Sequence, residues 1–292
     1  MIRDRLASTE PDAWLHPVSM PNGVGDTAAF ERAGLLVRPD RRLGQVVRGR
    51  PPGVTAHQWS SATRTPLAFV VAEAAGQTPV LAVQLRDPAV LGAGAARADR
   101  ATAAVCEAVG LPLLRVESAA HGTGAFARRV LEYVLDAHAY TTATGGEPPG
   151  YRDITGRLPD GREGYVNDLG AVARAAAVDA YVSGRLVDPI VRALNVSWRD
   201  GTAEGWAWLD VREGQCLFER ARIRQHRFSC GVDPSRLAED LATSAIGERL
   251  KLLGIAEPAL HDKRDLAREL AGLKRRRDEL ATPFAFDHVS FD

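Results

Sequence analysis

Lysine is almost missing from this chain: Lys251, Lys263 and Lys274 are its only three, so the basic charge rests on arginine. Arginine suits bidentate contact with phosphate or carboxylate, yet beside so much alanine and glycine the bias reads most simply as the mark of a GC-rich coding sequence. Cysteine is scarce too. Cys106, Cys216 and Cys230 are too few and too scattered for a disulfide framework, and a reducing, cytoplasmic setting is expected. No apolar run approaches the roughly 18 residues of a membrane span, and the opening MIRDRLASTEPDAW lacks the apolar core of a signal peptide, so no membrane partner is expected. Neither sign of charge is in surplus, with 37 basic and 37 acidic residues, so attraction to a polyanion must come from local patches. A phosphate loop, a dinucleotide fingerprint, a nucleophile elbow and an HExxH helix are all absent. Ser118, His121 and Asp136 form a scattered trio from which no catalytic triad is read.

What remains is an ordinary globular composition, 45% apolar and 25% charged, in a chain of 292 residues, long enough for two domains. Residues 1–26 carry prolines and glycines without periodicity and read as a tail or draped arm. The stretch from Leu67 to Val116 organises the rest. Two near-continuous apolar runs, 67–71 and 80–85, read as strands covered on both faces. An alanine-rich helix over about 95–109 follows, with Ala98, Ala101, Val105 and Ala108 or Val109 at helical spacing. Gly110 stops it, and Pro112 opens the third apolar run. A helix over about 124–139 presents Phe126, Val130, Val134 and Ala137.

Residues 141–164 are rich in threonine, glycine and proline, which sets a linker between a first domain over 27–140 and a second over 165–292. In the second, 165–184 reads as an amphipathic helix. NVSW and GWAWLDV read as strands around an Asp-Gly turn, and 217–230 continues a meander. Asp233 before Pro234 opens a helix that runs to about Leu253. The last helix, about 262–280, repeats Leu266, Leu270, Leu273 and Leu280, too short for a coiled coil and suited to packing on its own domain.

Five arginines and no acid lie between Arg41 and Arg64, a stretch that can be a solvated loop or a phosphate-contacting one through Arg41, Arg42, Arg48 and Arg50. If 218–228 is one regular strand, Arg220, Arg222, Arg224 and His226 share a face, a stripe suited to a nucleic-acid backbone. The opposite face holds Glu219 and Gln225, so a bend can break the stripe. Cys216, His226 and Cys230 are metal-ligand types without a knuckle spacing, and buried cysteines are the commoner outcome. Trp198, Trp206 and Trp208 are explained by cross-strand packing without a ligand. The basic run 274–277 is balanced by Asp278 and Glu279 as a solvated face.

The order strand, turn, strand, loop, helix, closing on AVCEAVGLPLLRV, resembles a bacterial domain family of unknown function in the restriction-endonuclease-like, or PD-(D/E)XK, superfamily, over about residues 30–138. The resemblance implies an α/β fold, a mixed sheet flanked by helices, here followed by an α+β domain with a β-meander and C-terminal helices. In active members carboxylates hold a divalent ion against a phosphate. Here the matching positions carry Ala68, Gln84 and Arg86, with Gln45 upstream and Thr102 or Ala103 in the helix where a lysine often stands. A glutamine amide is a weak ligand, and Arg86 brings positive charge to the metal's position. A non-catalytic module binding DNA or RNA, without a cofactor, is the leading expectation. The alternatives are a Mg²⁺- or Mn²⁺-dependent nuclease displaced onto Asp87, Asp99 and Glu107, and a protein-protein scaffold whose tryptophan hairpin and last helix face a partner.

Overall fold

The computed structural model describes residues 13–18, 29–75, 77–122, 124–149, 155–157, 163–165, 169–256 and 258–281. The chain forms two compact units. One runs to Val116 and includes Gln225–Ser229; the other holds Glu117–Arg224 and the residues from Cys230 onward.

The first unit opens with a hairpin of β1 (Phe30–Arg32) and β2 (Leu35–Arg42). Its two-residue turn places Ala33 and Gly34 both at positive φ, 52° and 74°, the twist that a tight hairpin needs. Two short helices follow, α1 (Leu43–Val46) and α2 (Ala56–Ala62). Thr55 caps α2 through a reciprocal box with Gln58, each side chain accepting the other's backbone N–H. Then come β3 (Pro66–Glu73), β4 (Pro79–Arg86), α3 (Ala95–Ala108) and β5 (Leu113–Ser118), in the strand order β1-β2-β3-β4-β5. The three apolar runs and the alanine-rich helix thus form as their patterning predicts. Ala101 and Val105 of α3 pack on Val70, Ala72, Ala82 and Leu113, so small residues let the helix lie close to the sheet. Gly110, at φ 69°, ends that helix in the left-handed conformation open to glycine.

Part of the expected tail is built into this core. Leu15 bridges Val47 and is buried, and the His16 N–H donates to the Val46 carbonyl at 2.8 Å. Residues 1–12 and 19–28 lie outside the described set.

The second unit begins with α4 (Gly124–Ala143), in which Phe126, Val130, Val134 and Ala137 are buried as their spacing predicts. This helix groups with the second unit, not the first: Arg129 pairs with Glu248, and the Thr141 hydroxyl donates to the Cys230 carbonyl. Two three-residue strands follow, β6 (Thr155–Arg157) inside the expected linker and β7 (Glu163–Tyr165) across its end. Next is α5 (Ala171–Val182), shorter at its start than its apolar pattern suggests.

The meander follows as β8 (Arg192–Ser197), β9 (Thr202–Arg212) and β10 (Gln215–His226), antiparallel in the order β10-β9-β8. After it come α6 (Pro234–Leu252), β11 (His261–Asp262) on the edge of β10, and α7 (Lys263–Arg275). Asp233 caps α6 by accepting from the Ser235 and Arg236 N–H groups, with Pro234 at the first helical position. Strand alternation then decides which side chains meet which helix. Ala203, Gly205 and Ala207 of β9, with Ala221 and Ile223 of β10, turn toward α6. Trp206 and Trp208, with Leu194, Val196 and Cys216, pack on Leu266, Leu270 and Leu273 of α7 and on Leu280. The molecule is a mixed α/β protein whose sheets are flanked by helices. Among the described residues no helix is long and apolar enough to cross a membrane.

Candidate functional site

Cross-strand register fixes what shares a face with α3. Arg38 of β2 pairs with Val70 of β3, which pairs with Ala82 of β4, and Val70 and Ala82 pack on α3. By alternation Ala68, Gln84 and Arg86 lie on that same face, the positions where the resemblance expects metal-binding acids. The side chains there form a polar network. Arg86 grips the Asp99 carboxylate with both terminal nitrogens, the Nη2–Oδ2 bond being 2.8 Å. Arg115 donates from Nε to Gln84 Oε1 at 3.0 Å, and its Nη2 lies 3.7 Å from Asp99 Oδ1. Gln84 and Arg115 are buried, and Arg38 is wholly so. Arg86 and Arg115 thus both lie against the Asp99 carboxylate, which is already occupied by guanidinium groups. The Thr102 hydroxyl meets that of Thr65 at 2.9 Å, and Gln45 accepts the Arg42 N–H at 2.8 Å as part of the α1 cap. Nearby Cys106 is fully buried, and burial pushes its thiol up to about 12 against the opposing field of Arg115.

The three acids considered for a displaced metal site have separate partners. Asp87 accepts the Ala89 N–H at 2.8 Å and caps the turn Pro88–Val90. Asp99 is held by Arg86. Glu107 stands eight residues further along α3, about 12 Å by the helical rise. There it lies 2.6 Å from His226 Nε2 and 3.5 Å from Arg227 Nη1. Cys216 and His226 are ten residues apart on one strand, roughly 33 Å in extended geometry. Among the described residues no group of three or more His, Cys, Asp and Glu side chains is placed to hold a metal.

The arginine stretches take different forms. Arg41 and Arg42 end β2, and Arg48 and Arg50 follow α1, so the four bracket that short helix. Arg48 donates from Nε to the Leu15 carbonyl at 2.8 Å. β10 continues to His226 with its one register irregularity at Gln215–Cys216, and over the central stretch its alternation is clean: Glu219, Ala221 and Ile223 are buried, whereas Arg220, Arg222 and Arg224 are exposed. The anticipated obstacle, an acid on the inner face, is met by Arg249 of α6, which donates to Glu219 at 2.6 Å. Arg224 leans on the Asp200 carbonyl at 3.2 Å.

Beside this row lies a cavity of about 370 Å³ between α7 and the sheet, walled by Trp198, Trp206, Glu204, Arg220, Gly272 and Arg276 among others. Buried Glu204 anchors it. Its two oxygens accept from the Trp206 and Trp198 indole N–H groups at 2.8 and 3.0 Å, and Arg220 and Arg222 stand 3.6 and 3.4 Å away. Arg276 lies 4.2 Å over the Trp198 ring and Arg220 5.6 Å over that of Trp206, cation-π distances in both cases. The tryptophan hairpin and the last helix thus face each other across a shared core. Sequence reasoning missed Glu204 and the role of Arg276. The register that pairs Glu204 with Arg222 was the available signal.

Neither the curated proteins nor the solved structures yield a match to this chain. Residues 49–133, from the loop before α2 to the middle of α4, match the model of one protein family, described as a protein of unknown function (DUF2726).

Proposed function

We propose that this chain is a non-catalytic nucleic-acid-binding module whose first unit is a restriction-endonuclease-like domain with a degenerate motif. The observation that carries the binding half is the row Arg220, Arg222 and Arg224, exposed on one face of a regular strand. Successive members stand about 7 Å apart and point the same way, which suits contact with consecutive phosphates of one backbone. The non-catalytic half is supported by the network around Gln84. A divalent ion there would need free carboxylates, and Asp99 is already paired with Arg86.

A gel-shift titration against salt tests the reading. Binding to labelled DNA or RNA at low salt, weakening steeply as salt rises, is the expected result. No retardation at low salt with single- or double-stranded DNA or RNA removes it. The same samples with Mg²⁺ or Mn²⁺ should leave the nucleic acid uncut, and cleavage abolished by Asp87→Ala would replace this reading with the displaced metal site.

A further inference from the structure

We propose that the cavity between α7 and the meander receives one unpaired base of a single-stranded nucleic acid, while the arginine row holds the adjoining phosphates. This rests on the nucleic-acid reading above and sharpens it from polyanion to single strand.

Four features of the cavity converge on a planar group attached to a negatively charged backbone. Two guanidinium groups, of Arg276 and Arg220, are each backed by an indole, so a base entering the cavity meets stacked planes. Guanidinium and aromatic planes are the surfaces on which unpaired bases stack. Next, Glu204 takes up both indole N–H donors, so the tryptophans offer no base-edge hydrogen bonds and the guanidinium planes over them are the stacking surfaces. Recognition by stacking is indifferent to which base is present. Third, the wall carries Arg220, Arg275 and Arg276 with Glu204 and Glu269; Arg276 is paired with Glu279 and Glu204 is surrounded by donors, so Arg220 and Arg275 supply the cationic rim. Finally, Arg220 belongs to both the wall and the exposed row, so a strand followed by Arg222 and Arg224 leads into the opening.

Gly272 supplies an independent argument. It sits inside α7, where glycine is the poorest ordinary residue for a helix. Neither space nor backbone requires it there: an added Cβ would meet nothing closer than an Arg275 terminal nitrogen at 3.7 Å. What the missing side chain does is keep the helical wall of the cavity open. A base held inside a duplex cannot reach such a cavity without leaving its stack.

The test is fluorescence anisotropy with the full chain and three probes: a labelled oligothymidylate of about 12 nucleotides, a blunt duplex of equal length, and thymidine monophosphate as competitor. Expected is single-strand binding about tenfold tighter than duplex binding, weakened about tenfold by Gly272→Leu, which fills the cavity without changing charge. Duplex affinity and the slope of log K against log salt should stay unchanged in that variant. Circular dichroism checks its fold, and Arg275→Ala provides a second route, with the same single-strand loss. Equal binding of strand and duplex, unmoved by both variants, overturns the cavity and leaves the arginine row standing. Binding of none of the probes overturns both. Competition by the mononucleotide at the oligomer's own affinity overturns the strand and makes the site one for free nucleotides.

Discussion

Gly205 shows how one residue holds a layer in place. A Cβ built on it would lie 2.1 Å from the Ala238 carbonyl carbon and 2.2 Å from its oxygen, both backbone atoms of α6. No rotamer change relieves a clash with backbone, so Gly205→Ala must lift the helix off β9. A loss of about 3 kcal/mol or more is expected in urea unfolding, at the upper end for overpacking. A melting point within a few degrees of wild type would show that α6 approaches less closely. The thiols make a gentler case. Burial pushes Cys106 up to about 12 and Cys216 up to about 11, and raises Cys230 as well, so none offers a thiolate near neutral pH. Native protein at pH 8 should therefore resist iodoacetamide, whereas urea-unfolded protein reacts at all three positions. Rapid labelling of the native chain would contradict their burial.

At the scale of elements, two turns make opposite predictions. The β1–β2 turn sets Ala33 at φ 52°, where a Cβ strains the backbone and asparagine is tolerated. Ala33→Asn should raise stability by about 0.5–1 kcal/mol, read as a shift of the urea midpoint at constant m-value. The β8–β9 turn places Asp200 so that its carboxylate accepts the Thr202 N–H at 2.9 Å. Partial burial acts against its charge, but that hydrogen bond and the fields of Arg224 and Arg222 prevail and hold its carboxyl below the usual range. A depressed folded value means that the charge stabilises fully above the unfolded value near 4 and loses this effect as pH falls through the folded value. Asp200→Asn keeps the acceptor and removes the charge. It should cost about 0.5 kcal/mol at pH 7, after allowance for solvent screening, and nothing once the wild-type carboxyl is protonated. A deficit that persists in acid would assign the effect to the hydrogen bond.

These elements also mark how far the sequence could be read. Apolar runs, capping residues and glycine stops placed β3, β4, α3, β5, α6 and α7 within a few residues, because each rests on local periodicity. The grouping of α4 with the second unit was not legible, since it depends on Arg129 meeting Glu248 and Thr141 meeting Cys230, more than 80 residues away in each case. The network around Gln84 shows the same division. Alternation put Gln84 and Arg86 on one face, but that Arg86 would spend both nitrogens on Asp99 follows only from the packing angle of α3. Glu204 was hidden for another reason. A buried acid between tryptophans looks like any surface acid until the cross-strand partners are known.

For the whole molecule, a net charge of zero turns salt dependence into a local measurement. With no global field to attract a polyanion, the slope of log K against log salt counts the arginines that displace counterions. Replacing Arg220, Arg222 and Arg224 with alanine should lower that slope by about 2 to 3, close to 0.9 per phosphate contact, and weaken every sequence alike. The second set, Arg41, Arg42, Arg48 and Arg50, should contribute less per residue, because the four stand on both sides of α1 and not in one row along a strand. Their combined alanine variant should therefore change the slope by no more than the row's does, although it removes one more charge. The reverse order would move the binding face to the α1 region of the first unit. Sequence-dependent losses in the row variant would mean that these arginines read base edges, and the phosphate assignment would have to be given up.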